Sequence, residues 1–172
     1  MKNESHASGD QSTSKLGELI KDIKIAMFTT TDPDGSLRSR PMACQEVDFD
    51  GDLWFFTHKS SSKVHSIVSD QKVNLAYASP SDNRYVSVTG RAQIIDDRDK
   101  EKELWNPAYK AWFPEGLEDP DLVLIRVRVD SAEYWDSPSS TVLHLVGFTK
   151  AIMTGEQYQP DQSEHDRLEI RH

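Results

Sequence analysis

The chain of 172 residues has a single cysteine, Cys44, and no apolar run near the roughly 20 residues that a membrane-spanning helix needs. One cysteine cannot form an internal disulfide, and the N-terminus lacks the apolar core of a secretory signal. These absences predict a soluble protein of the reducing cytoplasm with no membrane partner. Cys44 itself is expected to be a small buried residue rather than a redox thiol.

Basic residues are also in short supply. The 20 Lys and Arg residues are outnumbered by 29 Asp and Glu residues, which leaves a net charge of -9. Nucleic-acid binding needs clustered basic side chains on an accessible face, and no such cluster occurs, so no nucleic-acid partner is expected. The histidines and the cysteine lack the spacing of metal ligands, so we predict no metal site.

The apolar pattern divides the chain into three parts. Residues 1–13 are polar and aperiodic and are expected to form a disordered leader, while residues 148–172 are expected to be a polar tail that frays. Residues 14–147 are predicted to form one domain, which begins with an amphipathic helix carrying Leu16, Leu19 and Ile20. Strands are predicted at residues 26–31, 36–49, 53–57, 73–78, 85–95, 122–135 and 141–146.

The connections between these strands indicate the architecture. The first three strands follow one another through short turns, as in a meander, and Gly90 inside the fifth strand predicts a bend or bulge. Helices are predicted at residues 62–70, 98–105 and 108–112. Many short antiparallel strands with a few helices describe a small barrel, because closing a sheet removes its exposed edges. The predicted fold class is therefore mainly β with peripheral helices.

Residues 54–65 change character halfway along, from an aromatic strand to a hydroxyl-rich helix start. Such a junction presents unpaired backbone N–H groups, the hydroxyls of Thr57, Ser60, Ser61 and Ser62, and the ammonium of Lys63. Together these groups suit a phosphate. The alternative is that Ser61 or Ser62 caps the helix and the lysine is simply solvated.

A second group with affinity for phosphate lies one hairpin away. Alternation puts Arg38 and Arg40 on one face of the second strand, and Pro41 removes a backbone donor there. A guanidinium meets phosphate oxygens in bidentate geometry, so an arginine here would complete a phosphate site. The alternative is that both arginines pair with acidic residues at the rim of the barrel.

Four ordered motifs resemble those of the flavin-binding split barrels. They are Arg40-Pro41-Met42, Phe55-Phe56-Thr57 followed by Ser61-Ser62-Lys63, Arg84 to Gly90, and Ala132-Glu133-Tyr134-Trp135. Trp112-Phe113-Pro114 and Asp119-Pro120-Asp121-Leu122 are similar to the general stress protein branch related to pyridoxamine 5'-phosphate oxidase. The resemblance spans residues 15–146 and implies a split β-barrel of six to seven antiparallel strands. It also implies a homodimer with FMN at the interface, contacted by both chains.

The resemblance assigns roles to individual positions. It implies that Arg40, Ser61, Ser62 and Lys63 hold the FMN phosphate, that Pro41 and Met42 run along the isoalloxazine, and that Phe56 and Thr57 line the ring and ribityl chain. Tyr85 stands where the oxidases usually carry glutamine, Trp112 is expected to cover the ring, and Trp135 to reach the flavin of a partner subunit. Trp54 and Trp105 are expected to be ordinary core residues.

Two departures from the oxidases bear on activity. Gln45 replaces a flavin-contacting lysine, and the arginine-bearing C-terminal segment has no counterpart, so oxidation of vitamin B6 is not expected. His58 is expected near the flavin edge and His65 on its own helix, and no catalytic residue is assigned because the cofactor carries the electron transfer.

The expected function is an FMN-dependent oxidoreductase that takes electrons from a nicotinamide nucleotide. The alternatives are a flavin carrier or stress sensor without turnover, and a small barrel that binds single-stranded oligonucleotides through exposed aromatic residues. Two alternatives to FMN as the cofactor are a deazaflavin and a haem held by His165 or His172.

Overall fold

The computed structural model of the protein describes residues 4–45, 48–136 and 165–170. Three α-helices and seven β-strands form the described part of the chain, and short 3-10 helices occupy Pro80–Asp82, Pro107–Ala111 and Gly116–Glu118. The helices are α1 (Glu4–Ile20), α2 (Ser62–Ser69) and α3 (Arg98–Leu104). The strands are β1 (Ile25–Thr31), β2 (Leu37–Ala43), β3 (Asp52–His58), β4 (Lys72–Ser79), β5 (Arg84–Ile95), β6 (Leu122–Asp136) and β7 (His165–Glu169).

All seven strands belong to one antiparallel sheet. Its order is β2-β1-β4-β5-β6-β3, and β7 pairs with β6 beyond the end of β3. The sheet curls into a half-barrel, so the predicted mainly β fold of six to seven antiparallel strands is confirmed. The curl brings the two edge strands, β2 and β3, towards each other.

Apolar side chains form two clusters on this frame. The larger fills the inside of the sheet, where Leu16 and Leu19 of α1 pack with Phe28 and Phe55. The smaller lies between β3, the start of β6 and the segment after α3, and contains Phe56, Leu104, Tyr109, Phe113, Leu122 and Leu124. Trp54 and Trp105 pack against the smaller cluster, as predicted for core residues.

Gly90 marks a bulge, as the sequence predicted. The pairing of β5 with β6 shifts register between Thr89 and Gly90. A Cβ atom at Gly90 would lie 2.5 Å from the backbone oxygen of Arg128, which no side chain tolerates. The strands therefore approach closely only because position 90 has no side chain.

The predicted meander of the first three strands is wrong in its third member. β3 does not pair with β2 but with β6, where Phe55 lies opposite Ile125 and Phe56 opposite Leu124. Residues 122–125 of β6 are all fully buried, because one cluster covers each face of the strand at this point. β3 therefore pairs with the strand whose apolar residues it helps to bury, and not with the strand nearest to it in the sequence.

The bounds of two predicted elements differ from those in the structure. Helix α1 begins at Glu4, inside the predicted disordered leader, because the backbone hydrogen bonds of a helix continue beyond its apolar face. β2 ends at Ala43 rather than at residue 49.

The tail that was expected to fray contains β7, and Ile170 after it is 6% exposed. β7 pairs with residues 131–135 of β6, beyond the part that β3 covers, and backbone pairing of this kind does not require apolar residues. The strand predicted at residues 141–146 lies outside the described residues, and the domain limits at 14–147 stay a prediction.

Candidate functional site

A cleft of about 440 Å³ lies between the two edge strands of the half-barrel. Its walls come from both edges, from the first turn of α2 and from the 3-10 segment that follows α3. The lining residues are Ile25, Pro41, Met42, Ala43, Gln45, Phe56, Thr57, His58, Lys63, Tyr109, Trp112 and Phe113. Among the described strands, β2 and β3 each have one paired neighbour, so a ligand in the cleft meets backbone groups as well as side chains.

Hydroxyl groups and one ammonium form the polar end of the cleft. The Nζ atom of Lys63 donates a 3.0 Å hydrogen bond to Oγ1 of Thr57, which lies 3.2 Å from Oγ of Ser61. Ser61 has an extended backbone before α2, and its side chain makes no capping hydrogen bond to the helix. Ser61 therefore occupies the N-cap position of α2 but does not cap the helix with its hydroxyl.

Ser60 does not belong to this group. Its backbone N–H and its hydroxyl both donate to the carboxylate of Asp121, at 3.1 and 2.5 Å. Ser62 is exposed as the first residue of α2. The hydroxyls that meet at the polar end are thus those of Thr57 and Ser61.

The Arg40 guanidinium lies close enough to the Lys63 ammonium for the two charges to interact. One terminal nitrogen of Arg40 donates a 2.8 Å hydrogen bond to Oγ1 of Thr30, while the other is buried and has no partner among the described residues. Burial lowers the pKa of Lys63, and the nearby charge of Arg40 lowers it further. Burial also lowers the pKa of Arg40. Two cations close together and an unpartnered nitrogen are costly, which is the arrangement expected where an anion binds.

Arg38 behaves differently from Arg40 although both lie on one face of β2. The side chain of Arg38 is 58% exposed and forms a 2.9 Å ion pair with Asp32. The alternative interpretation, pairing with an acidic residue, is therefore correct for Arg38. Within the described ranges, Arg40 makes no such pair.

Aromatic side chains form the other end of the cleft. Phe56 packs against Tyr109 and Phe113, with ring centroids 5.4 and 6.2 Å apart. Trp112 projects from the rim and is 59% exposed. A flat apolar ligand would find an aromatic floor here and an exposed aromatic side chain at the rim.

His58 and Gln45 are the polar side chains at the aromatic end. The ring of His58 packs on Phe113 at 4.8 Å, and its Nε2 atom lies 3.4 Å from a carboxylate oxygen of Asp119. The hydroxyl of Tyr109 donates a 3.1 Å hydrogen bond to Oε1 of Gln45. His65 does lie against its own helix, with Nδ1 3.4 Å from the carbonyl oxygen of Ser61.

Tyr85 and Trp135 lie elsewhere. They are cross-strand neighbours on β5 and β6 and are 41% and 43% exposed. Neither residue lines the cleft of its own chain. One chain therefore brings together Pro41, Met42, Phe56, Thr57, Lys63 and Trp112, with Arg40 and Ser61 beside them, but not Tyr85 or Trp135.

Four lining residues were missed by the sequence analysis as site residues: Ile25, Ala43, Tyr109 and Phe113. Phe113 follows Trp112 in a motif that was already noted, so that motif was the available signal. Tyr109 and Ile25 carried no signal, because they reach the cleft only through the packing of a 3-10 segment and the approach of β2 to β3.

The described residues contain neither a metal-binding cluster nor a membrane-spanning helix. Across residues 4–45, 48–136 and 165–170, no three His, Cys, Asp or Glu side chains are grouped to hold a metal ion. In the same part of the chain, no helix has both the length and the apolar character needed to cross a bilayer.

The curled sheet, with a cleft between its two edges, defines the class as a split β-barrel. Residues 11–159 match the family model described as pyridoxamine 5'-phosphate oxidase like, and the chain belongs to this family. Protein bli-3 of Neurospora crassa is 32% identical over 157 residues, which are 86% of this chain and 75% of the relative.

Solved structures agree with this assignment. A general stress protein 26 from Jannaschia sp. has a TM-score of 0.71 and 24% identity, over 94% of this chain and 99% of its own, and supports the fold. The general stress FMN/FAD binding protein of Xanthomonas citri has a TM-score of 0.66 and 29% identity, over 76% of this chain and 92% of its own. The resemblance to the general stress protein branch is thereby confirmed.

Proposed function

We propose that this protein is an FMN-dependent oxidoreductase of the general stress type, with the flavin in the cleft between β2 and β3. The observation that carries the proposal is the buried, unpartnered nitrogen of Arg40 beside Lys63, at the polar end of an otherwise aromatic cleft. A doubly charged phosphate satisfies both cations, and the aromatic end suits the ring that the phosphate carries.

The residues present fit this cofactor. Arg40 and Lys63 supply charge to the phosphate, and Thr57 and Ser61 supply hydroxyls that already point at one another. Ser62 adds a backbone N–H at the start of α2. Pro41 and Met42 of β2, with Phe56 of β3, form the walls along the ring, and Trp112 covers it from the rim.

A second copy of the chain is part of the proposal. Ile25, Met27, Tyr85 and Trp135 are exposed apolar residues, and the cross-strand register places them on the same outer face of the sheet. Ile25 also lines the cleft, so the cleft opens towards this face. Two copies packed through the face would bury the apolar residues and carry Trp135 of each towards the cleft of the other.

In this proposal FMN and the protein chain have different roles. FMN supplies reversible hydride and single-electron transfer when it is bound. The chain anchors the phosphate at one end, excludes water from the ring with Phe56, Phe113 and Trp112, and keeps the His58 imidazole beside Asp119 at the open edge. A nicotinamide nucleotide is the proposed electron donor, because its flat ring can stack against the flavin at the open edge of the cleft.

The second candidate is a flavin carrier or stress sensor without turnover. The observation in its favour is Gln45, which is neutral and is held by Tyr109 at the aromatic end of the cleft. An uncharged amide that is already hydrogen-bonded offers less polarisation of a reacting group than a free cation would.

An absorption spectrum of the freshly purified protein, with mass analysis of any released chromophore, tests both candidates. Flavin bands and released FMN are expected. The loaded protein is then mixed anaerobically with NADH or NADPH. Bleaching followed by steady turnover in air supports the oxidoreductase, and flavin that stays oxidised supports the carrier. Failure to take up FMN at about micromolar concentration refutes both candidates.

A further inference from the structure

His58, the last residue of β3, lies in the wall of the cleft at its aromatic end. The side chain is 39% exposed, and its ring packs on Phe113. Among the described residues that line the cleft no carboxylate occurs, and the ammonium of Lys63 belongs to the polar end. Imidazole is the side chain that gains and loses a proton most readily near neutral pH. His58 is therefore the group of the aromatic end that is best suited to exchange a proton with a ligand.

Asp119 lies beside one nitrogen of this imidazole. Its Oδ2 atom is 3.4 Å from Nε2 of His58, and its side chain is 14% exposed. Its Oδ1 atom accepts a 2.8 Å hydrogen bond from the backbone N–H of Asp121. A carboxylate beside Nε2 favours the tautomer that carries the proton on this nitrogen. The lone pair of the neutral ring is then on Nδ1, which has no hydrogen-bond partner among the described residues.

An ion pair on α3 holds the segment that carries Asp119. The two terminal nitrogens of Arg98 donate hydrogen bonds to the carbonyl oxygens of Leu117 and Asp119, at 3.2 and 3.0 Å. Arg98 is in turn 2.6 Å from the carboxylate of Glu101, whose side chain is fully buried. The backbone of Asp119 is therefore fixed to α3, and its carboxylate is held where it can compensate a positive charge on His58.

The other charged neighbours of His58 are paired or lie at the far end of the cleft. Lys59 forms a 2.7 Å ion pair with Asp96. The Lys63 ammonium donates its hydrogen bond within the polar end. Asp121 is close enough to His58 for their charges to interact, and its two carboxylate oxygens accept hydrogen bonds from the backbone and hydroxyl of residue 60. A proton taken up by His58 is therefore compensated by the carboxylates of residues 119 and 121.

We propose that the aromatic end of the cleft binds a small planar phenol, and that Nδ1 of His58 accepts the proton of its hydroxyl group. In this step the O–H bond breaks and an N–H bond forms, so a phenol and an imidazole become a phenolate and an imidazolium. Asp119 is the positioning residue, because its carboxylate stabilises the imidazolium from the side of Nε2.

The cleft favours a phenol over other hydroxyl compounds. Phe56, Phe113 and Trp112 offer aromatic faces to a flat ring. An aliphatic alcohol is too weak an acid to give its proton to an imidazole, whereas the pKa of a phenol is much closer to that of the acceptor. The inference rests on the proposed function, since it assigns a substrate class to the same cleft.

Two probes of one shape isolate the role of the hydroxyl proton. 4-Nitrophenol has an acidic hydroxyl and changes its absorbance when it ionises, whereas 4-nitroanisole carries a methyl group in place of the proton. Binding of each to the full-length, FMN-loaded protein is measured by calorimetry at about pH 6, where free 4-nitrophenol is mainly neutral. 4-Nitrophenol is expected to bind about tenfold more tightly than 4-nitroanisole, and difference absorbance should show that it is bound as the phenolate.

Three variants assign the contacts. His58→Phe keeps a flat ring against Phe113 but removes the proton acceptor, so the two probes should bind within about twofold of each other. Asp119→Asn should weaken 4-nitrophenol by about three- to tenfold, lower the bound fraction of phenolate and leave 4-nitroanisole unchanged. His65→Phe is the matched control, because this histidine is exposed on α2 and does not line the cleft.

Nitrogen-15 NMR of the His58 ring separates positioning by Asp119 from a merely structural role. In the parent protein the proton of the neutral ring should be on Nε2, and both nitrogens should be protonated when 4-nitrophenol is bound. In Asp119→Asn the preference for Nε2 should be lost while the fold, checked by thermal unfolding, is kept. An unchanged tautomer in this variant contradicts the role given to Asp119.

The outcomes are distinguishable from those of the flavin experiment. The same comparison is made on flavin-free protein with inorganic phosphate at the polar end, so failure to take up FMN refutes the proposed function while the two probes still decide the role of His58. Equal affinity for both probes in the parent, or bound 4-nitrophenol that stays neutral, overturns the inference. Absence of saturable 4-nitrophenol binding up to about 10 mM also overturns it.

Discussion

Arg40→Met is the sharpest test of the proposed phosphate site. Hydrogen bonds between a guanidinium and phosphate oxygens are charge-assisted, and their loss costs about 2–3 kcal/mol of binding free energy. The dissociation constant for FMN should therefore rise by roughly 30- to 150-fold. Titration of the flavin-free protein with FMN, followed by quenching of flavin fluorescence, measures this change directly.

The same substitution should have little effect on folding. It removes the 2.8 Å hydrogen bond from Arg40 to Thr30, whose side chain is 1% exposed, and this loss costs about 1–3 kcal/mol. It also removes a buried unpartnered nitrogen and the charge that lowers the pKa of Lys63, and both changes stabilise the flavin-free chain. The two contributions oppose each other, so urea unfolding of the flavin-free variant should differ from the parent by about 1 kcal/mol or less.

Arg38→Met is the matched control on the same face of β2. Its side chain is 58% exposed and pairs with Asp32, and exposed pairs contribute about 1 kcal/mol at most, so the FMN dissociation constant should stay within about threefold of the parent. The reasoning is refuted if Arg40→Met binds FMN normally. It is equally refuted if this variant unfolds about 3 kcal/mol more easily, because Arg40 would then be a structural residue.

Four further outcomes follow from the described contacts. In the proposed dimer each cleft needs Arg40 of one chain and Trp135 of the other. An equilibrated mixture of Arg40→Met and Trp135→Ala proteins should therefore recover FMN binding at about a quarter of its sites. No recovery would contradict the dimer. Gly90→Ala places a Cβ atom 2.5 Å from the Arg128 oxygen and should cost about 2–4 kcal/mol in urea unfolding, whereas Gly17→Ala, with its nearest contact at 3.4 Å, should not destabilise. Burial raises the pKa of Cys44 from 9.0 to about 11. Alkylation of this thiol at pH 8 should therefore be about 100-fold slower than that of an unperturbed thiol, and it should accelerate as the pH rises towards 11. Fast labelling at pH 8 would contradict this expectation, because it would show an exposed thiolate. Arg98→Met leaves the fully buried Glu101 carboxylate without its 2.6 Å partner and releases the carbonyls of Leu117 and Asp119, so it should lower the free energy of unfolding by about 3 kcal/mol, measured with urea.

Much of the fold was predictable because it depends on neighbours in the chain. Helix α2 and strands β4, β5 and β6 lie within a residue or so of their predicted bounds, since alternation and helical spacing are local signals. The bulge at Gly90 was predictable for the same reason. The motifs around Arg40, Phe56 and Lys63 identified the family, and their order along the chain was enough for that.

The pairing of distant strands was not predictable in this way. β3 leaves its sequence neighbour β2 for β6, and β7 joins β6 from a polar segment, because pairing depends on which surfaces can be buried together. The candidate site shows the same limit. Strand alternation marked Arg38 and Arg40 alike, and only the family resemblance singled out Arg40. The tertiary structure then gave Arg38 an acidic partner and left Arg40 with a buried nitrogen that has no partner among the described residues.

The amino-acid sequence by itself determined the family, most of the secondary structure and the residue types of the cleft, since these are written in local patterns. Only the tertiary structure decided that Tyr85 and Trp135 do not line the cleft of their own chain, and that Arg40 keeps a buried nitrogen without a partner among the described residues. Distances between residues remote in sequence, and the loss of hydrogen-bond partners on burial, arise when the sheet curls and its two edges approach each other.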